Sequence, residues 1–145
     1  GGGNDMANCE AELRAFCDAR RLGDRVLFTG DVGQVAPWLQ AADVFAFPTQ
    51  NEAFGISLIE AMACGLPAVS TDVGGVKDIV EDGVNSLVVP AEDEAALEAA
   101  LRRLLHEPGL RDRLGRGGRA TVQARYTRGR VAAAYLSLFE RLSRG

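Results

Sequence analysis

The strongest constraint on the fold is a strand-like apolar run that leads through a short loop into an amphipathic helix. The run is Val44–Pro48, and the helical pattern that follows from Phe54 places Leu58 and Met62 on one stripe. This order puts the loop at the carboxyl end of a strand, where open α/β sheets bind ligands. The segment therefore predicts an α/β fold with a binding crevice beside the loop.

The same alternation of strands and helices extends over the first two thirds of the chain. The predicted strands are Val26–Thr29, Val44–Phe47, Ala68–Thr71 and Ser86–Val89. The predicted helices are Asn8–Arg21, Val35–Ala41 (with Trp38 and Leu39 inside), Phe54–Cys64 and Val76–Glu81. Such alternation favours parallel pairing with right-handed crossovers. We expect a Rossmann-like three-layer α/β/α fold with a small parallel sheet and one open edge.

The last third of the chain, residues 92–145, is predicted to be a helical segment that begins near Asp93. Pro108-Gly109 breaks the first helix, and glycines weaken the second, which starts near Leu110. These glycines are Gly115, Gly117 and Gly118. Thr127 is predicted to cap a third helix that reaches Leu142. Its apolar face is expected to be exposed or covered by a second copy, as is the open sheet edge. That face consists of Val131, Tyr135, Leu138 and Leu142.

Two glutamates separated by seven residues, Glu52 and Glu60, are the leading candidates for a functional site. The first amides of the helix have no intrahelical partner and can hold an anion. These amides are expected at Phe54, Gly55, Ile56 and Ser57. Glu60 shares their helix face, and a carboxylate suits a vicinal diol. However, acids are common near helix N-termini, so spacing alone favours a structural interpretation of the two glutamates.

The segment Asp43–Pro90 resembles the donor-binding half of retaining glycosyltransferases of the GT-B fold, specifically the GT4 (group 1) family. The family pattern Pro-[Ser/Thr]-x-x-Glu-x-Phe-Gly-x-x-x-x-Glu-Ala-Met-Ala-x-Gly-x-Pro-Val-Val aligns with Pro48–Val69. The resemblance continues through Thr71–Gly75 and Ile79–Gly83 to Leu87–Pro90. Many positions match in register, so the signal is specific.

The resemblance implies that the full enzyme moves a sugar from a UDP- or GDP-sugar to an acceptor hydroxyl with retention of configuration. Glu60 would hold the ribose diol, and Glu52 would contact the donor sugar and stabilise charge at the reacting centre. The diphosphate would bind the amides of Phe54, Gly55, Ile56 and Ser57. Gly74 and Gly75 would present a second amide cluster to the donor sugar. Neither a metal nor another cofactor is expected.

The chain departs from the family at Asp78, where Glu is common, and at Ser86, where Gly is usual. The family also needs an N-terminal acceptor domain and a cationic Gly-Arg…Lys-Gly loop, neither of which is found here. We therefore interpret residues 1–145 as a partial donor-binding domain, a fragment that is inactive by itself. Its opening Gly1–Asn4 resembles a loop of that domain, although the glycines are equally consistent with an expression scar.

Two other classes of function stay open: a nucleotide-sugar epimerase relative, and a nonenzymatic half-domain that acts in assembly. Charge and composition limit the remaining choices. The net charge of −4 disfavours nucleic-acid binding, and no apolar run has the length of a membrane span. Cys9, Cys17 and Cys64 form no CxxC pair, which favours a reducing, cytoplasmic location. The single histidine, His106, is expected at a helix end, not as a metal ligand.

A few further polar residues lie near the predicted site or on exposed helix faces. Thr49 follows a strand and could reach the donor through its hydroxyl, and Lys77 could reach a phosphate, although a solvated lysine is the better interpretation. Four arginines at close spacing are predicted to form a solvated helix face. They are Arg111, Arg113, Arg116 and Arg119.

Overall fold

The structure is a computed structural model that describes residues 10–143. The described residues fall into two compact units, residues 10–35 and residues 36–143. The predictions at Gly1–Asn4, Asn8 and Cys9 lie outside the described residues. No helix within residues 10–143 is both long and apolar enough to cross a membrane.

The first unit contains one helix, α1, which spans Glu10–Ala19 and buries Cys17. The predicted helix ran on to Arg21, but this residue has a φ of 56°, which is incompatible with a continuing helix. The predicted strand Val26–Thr29 is wrong, because these residues form no strand and Leu27 is 74% exposed. A strand needs a neighbour for its N–H and C=O groups, and no strand pairing occurs within residues 10–35.

The second unit is built around a three-stranded parallel sheet with helices between and after the strands. Its strands are β1 (Phe45–Phe47), β2 (Ala68–Thr71) and β3 (Leu87–Val89), in the order β1-β2-β3. The helices are α2 (Ala36–Ala41), α3 (Ile56–Ala63), α4 (Glu94–His106), α5 (Pro108–Arg125) and α6 (Arg128–Leu142). A 3-10 turn, Gly74–Asp78, follows β2. The predicted α/β class is confirmed, with three strands within the described residues instead of four.

The two faces of the central strand β2 pack against different apolar clusters. Val69 packs with residues of α4 and α5, including Leu104 and Leu114. Ala68 packs with Leu58 and Met62 of α3. Neighbouring strand residues point to opposite faces, so helices cover both sides of the sheet. This packing fixes α3, and with it the loop that precedes α3.

The glycines of α5 allow close approach to two loops, which the helix-propensity argument did not predict. A Cβ built on Gly115 would lie 2.2 Å from the carbonyl oxygen of Gly65, and one on Gly117 would lie 2.1 Å from that of Val84. Any side chain larger than hydrogen would therefore push the helix away from the loops. In this context the glycines stabilise packing, although they lower intrinsic helix propensity.

The last helix, α6, buries none of its residues. As predicted, Thr127 caps it, and its hydroxyl oxygen accepts a hydrogen bond from the Arg130 amide at 3.4 Å. The predicted apolar face is exposed, and Tyr135 stacks on Phe139 with 6.5 Å between ring centroids. Covering of this face by a second copy stays a prediction. Trp38 was predicted inside but is 50% exposed, whereas Leu39 next to it is buried.

Candidate functional site

The candidate site lies at the N-terminus of α3. Gly55 precedes the helix with φ 92° and ψ 44°, a left-handed conformation that favours glycine. A Cβ here would also lie 3.3 Å from Cδ1 of Ile79. The first helical residue is Ile56, two residues later than the predicted start at Phe54. The first helical amides therefore belong to Ile56, Ser57 and Leu58.

The Glu52 carboxylate binds the loop that carries it. Its Oε1 atom accepts hydrogen bonds from the backbone amides of Phe54 and Gly55, each at 3.0 Å. These bonds, Phe54 first and Gly55 second, lower the pKa of Glu52, and they outweigh the opposing effect of its partial burial. Glu52 is therefore ionised at neutral pH, and its negative charge lies close to the positive end of the α3 dipole.

Two glycines of the 3-10 turn pack directly against the main chain of this loop. The Gly75 amide donates a hydrogen bond to the carbonyl oxygen of Glu52 at 3.1 Å. A Cβ on Gly74, which has φ 53°, would lie 2.0 Å from that same oxygen. A Cβ on Gly75 would lie 2.3 Å from the carbonyl oxygen of Ala53. The predicted Gly74-Gly75 segment is thus brought together with Glu52, and its glycines are required for this contact.

These bonds change which amides are available for an anion. Of the four predicted amides, those of Phe54 and Gly55 already have an acceptor in Glu52. The Gly75 amide is likewise engaged. Ile56 and Ser57 retain the geometry of a helix N-terminus, with their N–H groups not needed by the helix itself.

Glu60 lies one turn into α3 with an exposed side chain. Its carboxylate has no hydrogen bond or ion pair with any other residue of the part of the chain that the structure describes. It follows Ile56 by four residues and Ser57 by three, so it shares their face of the helix. The arrangement thus combines two N-terminal amides with a carboxylate one turn deeper.

The remaining candidate residues make no hydrogen bond to Glu52 or to α3 within residues 10–143. The Thr49 hydroxyl donates to the carbonyl oxygen of Asn51 at 2.9 Å, and Lys77 is exposed. His106 ends α4, as predicted. The prediction of a fully solvated arginine face is wrong at Arg111, whose Nη1 donates to the carbonyl oxygens of Leu104 and Leu105 at 2.7 and 2.9 Å. It therefore caps the C-terminus of α4.

Two residues near the site were missed by sequence reasoning. The Thr71 hydroxyl at the end of β2 donates to the carbonyl oxygen of Thr49 at 2.6 Å, which fixes the start of the Glu52 loop. The ring of Tyr126 lies edge-to-face on Phe54, with 6.1 Å between centroids. Both contacts join residues distant in sequence, so no local pattern signals them. Within residues 10–143, no cluster of His, Cys, Asp or Glu has the arrangement of a metal site.

Comparison with known sequences gives a consistent set of relatives. The family model described as glycosyl transferases group 1 matches residues 5–121. A D-inositol 3-phosphate glycosyltransferase of Xylanimonas cellulosilytica is 38% identical over 141 residues, which cover 96% of this chain and 34% of that protein. The lipopolysaccharide core biosynthesis glycosyltransferase LpsD of Rhizobium meliloti is 33% identical over 90% of this chain and 38% of its own length. The chain thus spans about a third of the length of these curated relatives.

Solved structures agree with the sequence comparison. Sucrose-phosphate synthase from Thermosynechococcus elongatus superimposes with a TM-score of 0.85 and 34% identity, over 97% of this chain and 37% of that one. HepE of Anabaena, solved in complex with UDP, gives a TM-score of 0.83 and 26% identity over 94% of this chain and 37% of that one. The Rossmann-like fold is therefore shared with glycosyltransferase structures.

Proposed function

The chain belongs to the glycosyl transferases group 1 family, and from this we propose that it binds the nucleotide-sugar donor in a retaining glycosyltransferase. The donor is a UDP- or GDP-sugar, and the acceptor is a hydroxyl group. Binding of UDP by the similar HepE structure supports a nucleotide ligand. GT-B architecture places donor and acceptor on different domains, and the residues assigned below all concern the donor. We therefore expect the 145-residue chain to bind donor without transferring sugar.

One observation carries this proposal: an anchored carboxylate, a pair of helix N-terminal amides and an unpaired carboxylate are joined on one short segment. Glu52 is held by two amides at 3.0 Å, and Glu60 is exposed one turn into α3. A purely structural pair of acids would explain Glu52 through its amide bonds. What supports a ligand role is the position of the exposed Glu60 carboxylate, on the face of Ile56 and Ser57 one turn below their free amides.

The donor is proposed to lie along this segment with its diphosphate at the N-terminus of α3. The amides of Ile56 and Ser57 bind phosphate oxygens, where the helix dipole favours negative charge. Glu60 accepts hydrogen bonds from the two ribose hydroxyls. The amides of Phe54, Gly55 and Gly75 act indirectly, because they hold the Glu52 loop in place.

Glu52 is proposed to contact the donor sugar and stabilise the positive charge that develops as the glycosidic bond breaks. An ionised carboxylate accepts about four hydrogen bonds, so two amide bonds leave capacity for a sugar hydroxyl. The Gly74-Gly75 turn forms the adjacent wall. The leaving diphosphate gains negative charge in the transition state, where the α3 amides bind it more strongly than in the ground state. No step in this scheme requires a metal.

The experiment that tests this assignment maps backbone amides by NMR while UDP, UDP-glucose, GDP or GDP-mannose is added to the 145-residue chain. We expect the largest shifts at Ile56 and Ser57, with smaller shifts at Gly74. Shifts confined to other parts of the chain, with none in α3, would contradict the proposed site. A matched titration with inorganic phosphate separates general anion binding from nucleotide binding.

A further inference from the structure

Tyr126 lies at the joint between the last two helices and contacts both segments of the candidate site. It follows α5 directly and precedes Thr127, the cap of α6. Its ring lies edge-to-face on Phe54, with 6.1 Å between centroids and an interplanar angle of 79°. Its hydroxyl donates to the carbonyl oxygen of Asp78, the last residue of the 3-10 turn, at 3.3 Å. One side chain thus connects the Glu52 loop with the turn that contains Gly74.

The surroundings of Tyr126 hold its ring in a fixed position. The ring is partly buried against the apolar cluster that includes Met62, Val76 and Val122. The Arg125 guanidinium lies 5.2 Å from the ring centroid, within the range of a cation–π interaction. Phe54, in contrast, is 50% exposed. The tyrosine therefore has more packing contacts than the phenylalanine, and its ring is the side chain against which Phe54 rests.

The contact matters because the Phe54 backbone forms part of the Glu52 site. The Phe54 amide is one of the two that bind Oε1 of Glu52, so a contact that restrains the ring also restrains the backbone beside this amide. Two segments that must keep a fixed separation, the loop and the turn, are held by opposite ends of one rigid side chain. Aromatic pairs of this geometry contribute about 0.5–1.5 kcal/mol beyond area burial.

We propose that Tyr126 is a positioning residue for the donor site. It holds the Glu52 loop and the Gly74–Asp78 turn at a fixed distance from each other through its contacts with Phe54 and Asp78. The importance of Tyr126 for donor binding rests on the function proposed above. Its effect on the structure of the Glu52 loop does not depend on that function. Tyr126 itself contacts neither amide at the start of α3. Its action on the donor is through the loop.

The test measures hydrogen exchange of the Phe54 and Gly55 amides in the 145-residue chain, with Met62 inside α3 as an internal reference. Tyr126→Leu removes both contacts, and we expect exchange at Phe54 and Gly55 to rise about 2- to 10-fold relative to Met62. Tyr126→Phe keeps the ring pair and loses only the hydrogen bond to Asp78, so exchange at these two amides should rise less than in Tyr126→Leu. Tyr135→Leu, an exposed aromatic on α6, is the matched control and should leave the ratio unchanged.

A second variant keeps the test independent of whether Tyr126→Leu folds. Phe54→Leu removes the same ring pair from the other side and should raise Gly55 exchange by a similar factor. The double variant should add little to Tyr126→Leu, because that change already removes the ring pair that Phe54→Leu removes. An unchanged ratio in Phe54→Leu and Tyr126→Leu, or equal loss in Tyr126→Phe, would overturn the proposal. None of these measurements requires nucleotide, so their outcome is separate from that of the donor titration.

Discussion

Oε1 of Glu52 lies 3.0 Å from the amide nitrogen of Gly55, the residue whose left-handed conformation precedes α3. The carboxylate therefore shapes the loop that positions it, and the left-handed Gly55, with a φ of 92°, joins this loop to α3. A group that the family resemblance assigns to the sugar thus has a structural partner as well. The two interpretations of Glu52, structural and functional, are compatible because the carboxylate can accept further hydrogen bonds.

The Glu52 carboxyl should titrate below the ordinary pKa of glutamate. The unfolded chain binds the proton more tightly than the folded chain, so ionised Glu52 stabilises the fold above its unfolded pKa, about 4.3. That contribution is lost as the pH falls through the lower folded value. Carboxyl-detected NMR titration should therefore give a Glu52 midpoint below the ordinary value for glutamate. The difference in melting temperature between wild type and Glu52→Gln should shrink on acidification, and a constant difference would contradict this account.

Two glycine-to-alanine changes in α5 should have opposite effects on stability. Gly109→Ala meets nothing within 4 Å, so higher helix propensity should stabilise the chain by up to about 1 kcal/mol. Gly117→Ala places a Cβ 2.1 Å from the carbonyl oxygen of Val84 and should destabilise it by about 1–3 kcal/mol. Urea unfolding of both variants checks the signs. Stabilisation by Gly117→Ala would show that α5 does not pack closely on this loop.

Gly74 should tolerate substitution less well than a glycine of similar φ in open space. Gly83 has φ 70° with nothing near its Cβ position, so Gly83→Ala isolates the conformational cost, about 1–2 kcal/mol. Gly74→Ala adds a contact 2.0 Å from the carbonyl oxygen of Glu52, so its loss of stability should exceed that of Gly83→Ala. Thermal unfolding of the pair measures the difference. Equal losses would mean that the turn and the Glu52 loop do not touch.

Arg111 should contribute to stability, unlike its exposed neighbour Arg113. Arg111→Met removes two hydrogen bonds to the C-terminal carbonyls of α4 and should cost about 1–2 kcal/mol. Arg113→Met should change the free energy of unfolding by less than about 0.5 kcal/mol, as is usual for surface substitutions. Chemical denaturation of both variants tests this contrast, and equal effects would contradict the capping role of Arg111.

Local patterns predicted the parts of the fold that local interactions determine. The strand Ala68–Thr71 was predicted with its observed bounds, because a buried apolar run between turn signals needs little else to be recognised. Thr127 was identified as a helix cap from residue type alone. The α3 stripe of Leu58 and Met62 was also predicted and is fully buried.

The errors came from contacts between distant segments. The Val26–Thr29 run has strand composition but no pairing neighbour in its unit, and composition cannot supply one. Gly117 was interpreted through helix propensity, whereas its role depends on the Val84 loop far along the chain. In the site, sequence spacing predicted that Glu52 lies near the first amides of α3. The structure shows that its carboxylate binds the preceding amides of Phe54 and Gly55.

The measurement that tests the central claim most directly is a calorimetric titration of the 145-residue chain with UDP, GDP and their sugars, for wild type, Glu60→Ala and Glu140→Ala. Glu140→Ala is the matched control, because it removes an equally exposed helical glutamate on α6. We predict nucleotide binding that Glu140→Ala preserves and Glu60→Ala weakens at least about tenfold, which is about 1.4 kcal/mol. Equal binding by both variants, or no binding at millimolar ligand, would contradict the assignment of this chain as a donor site centred on Glu60.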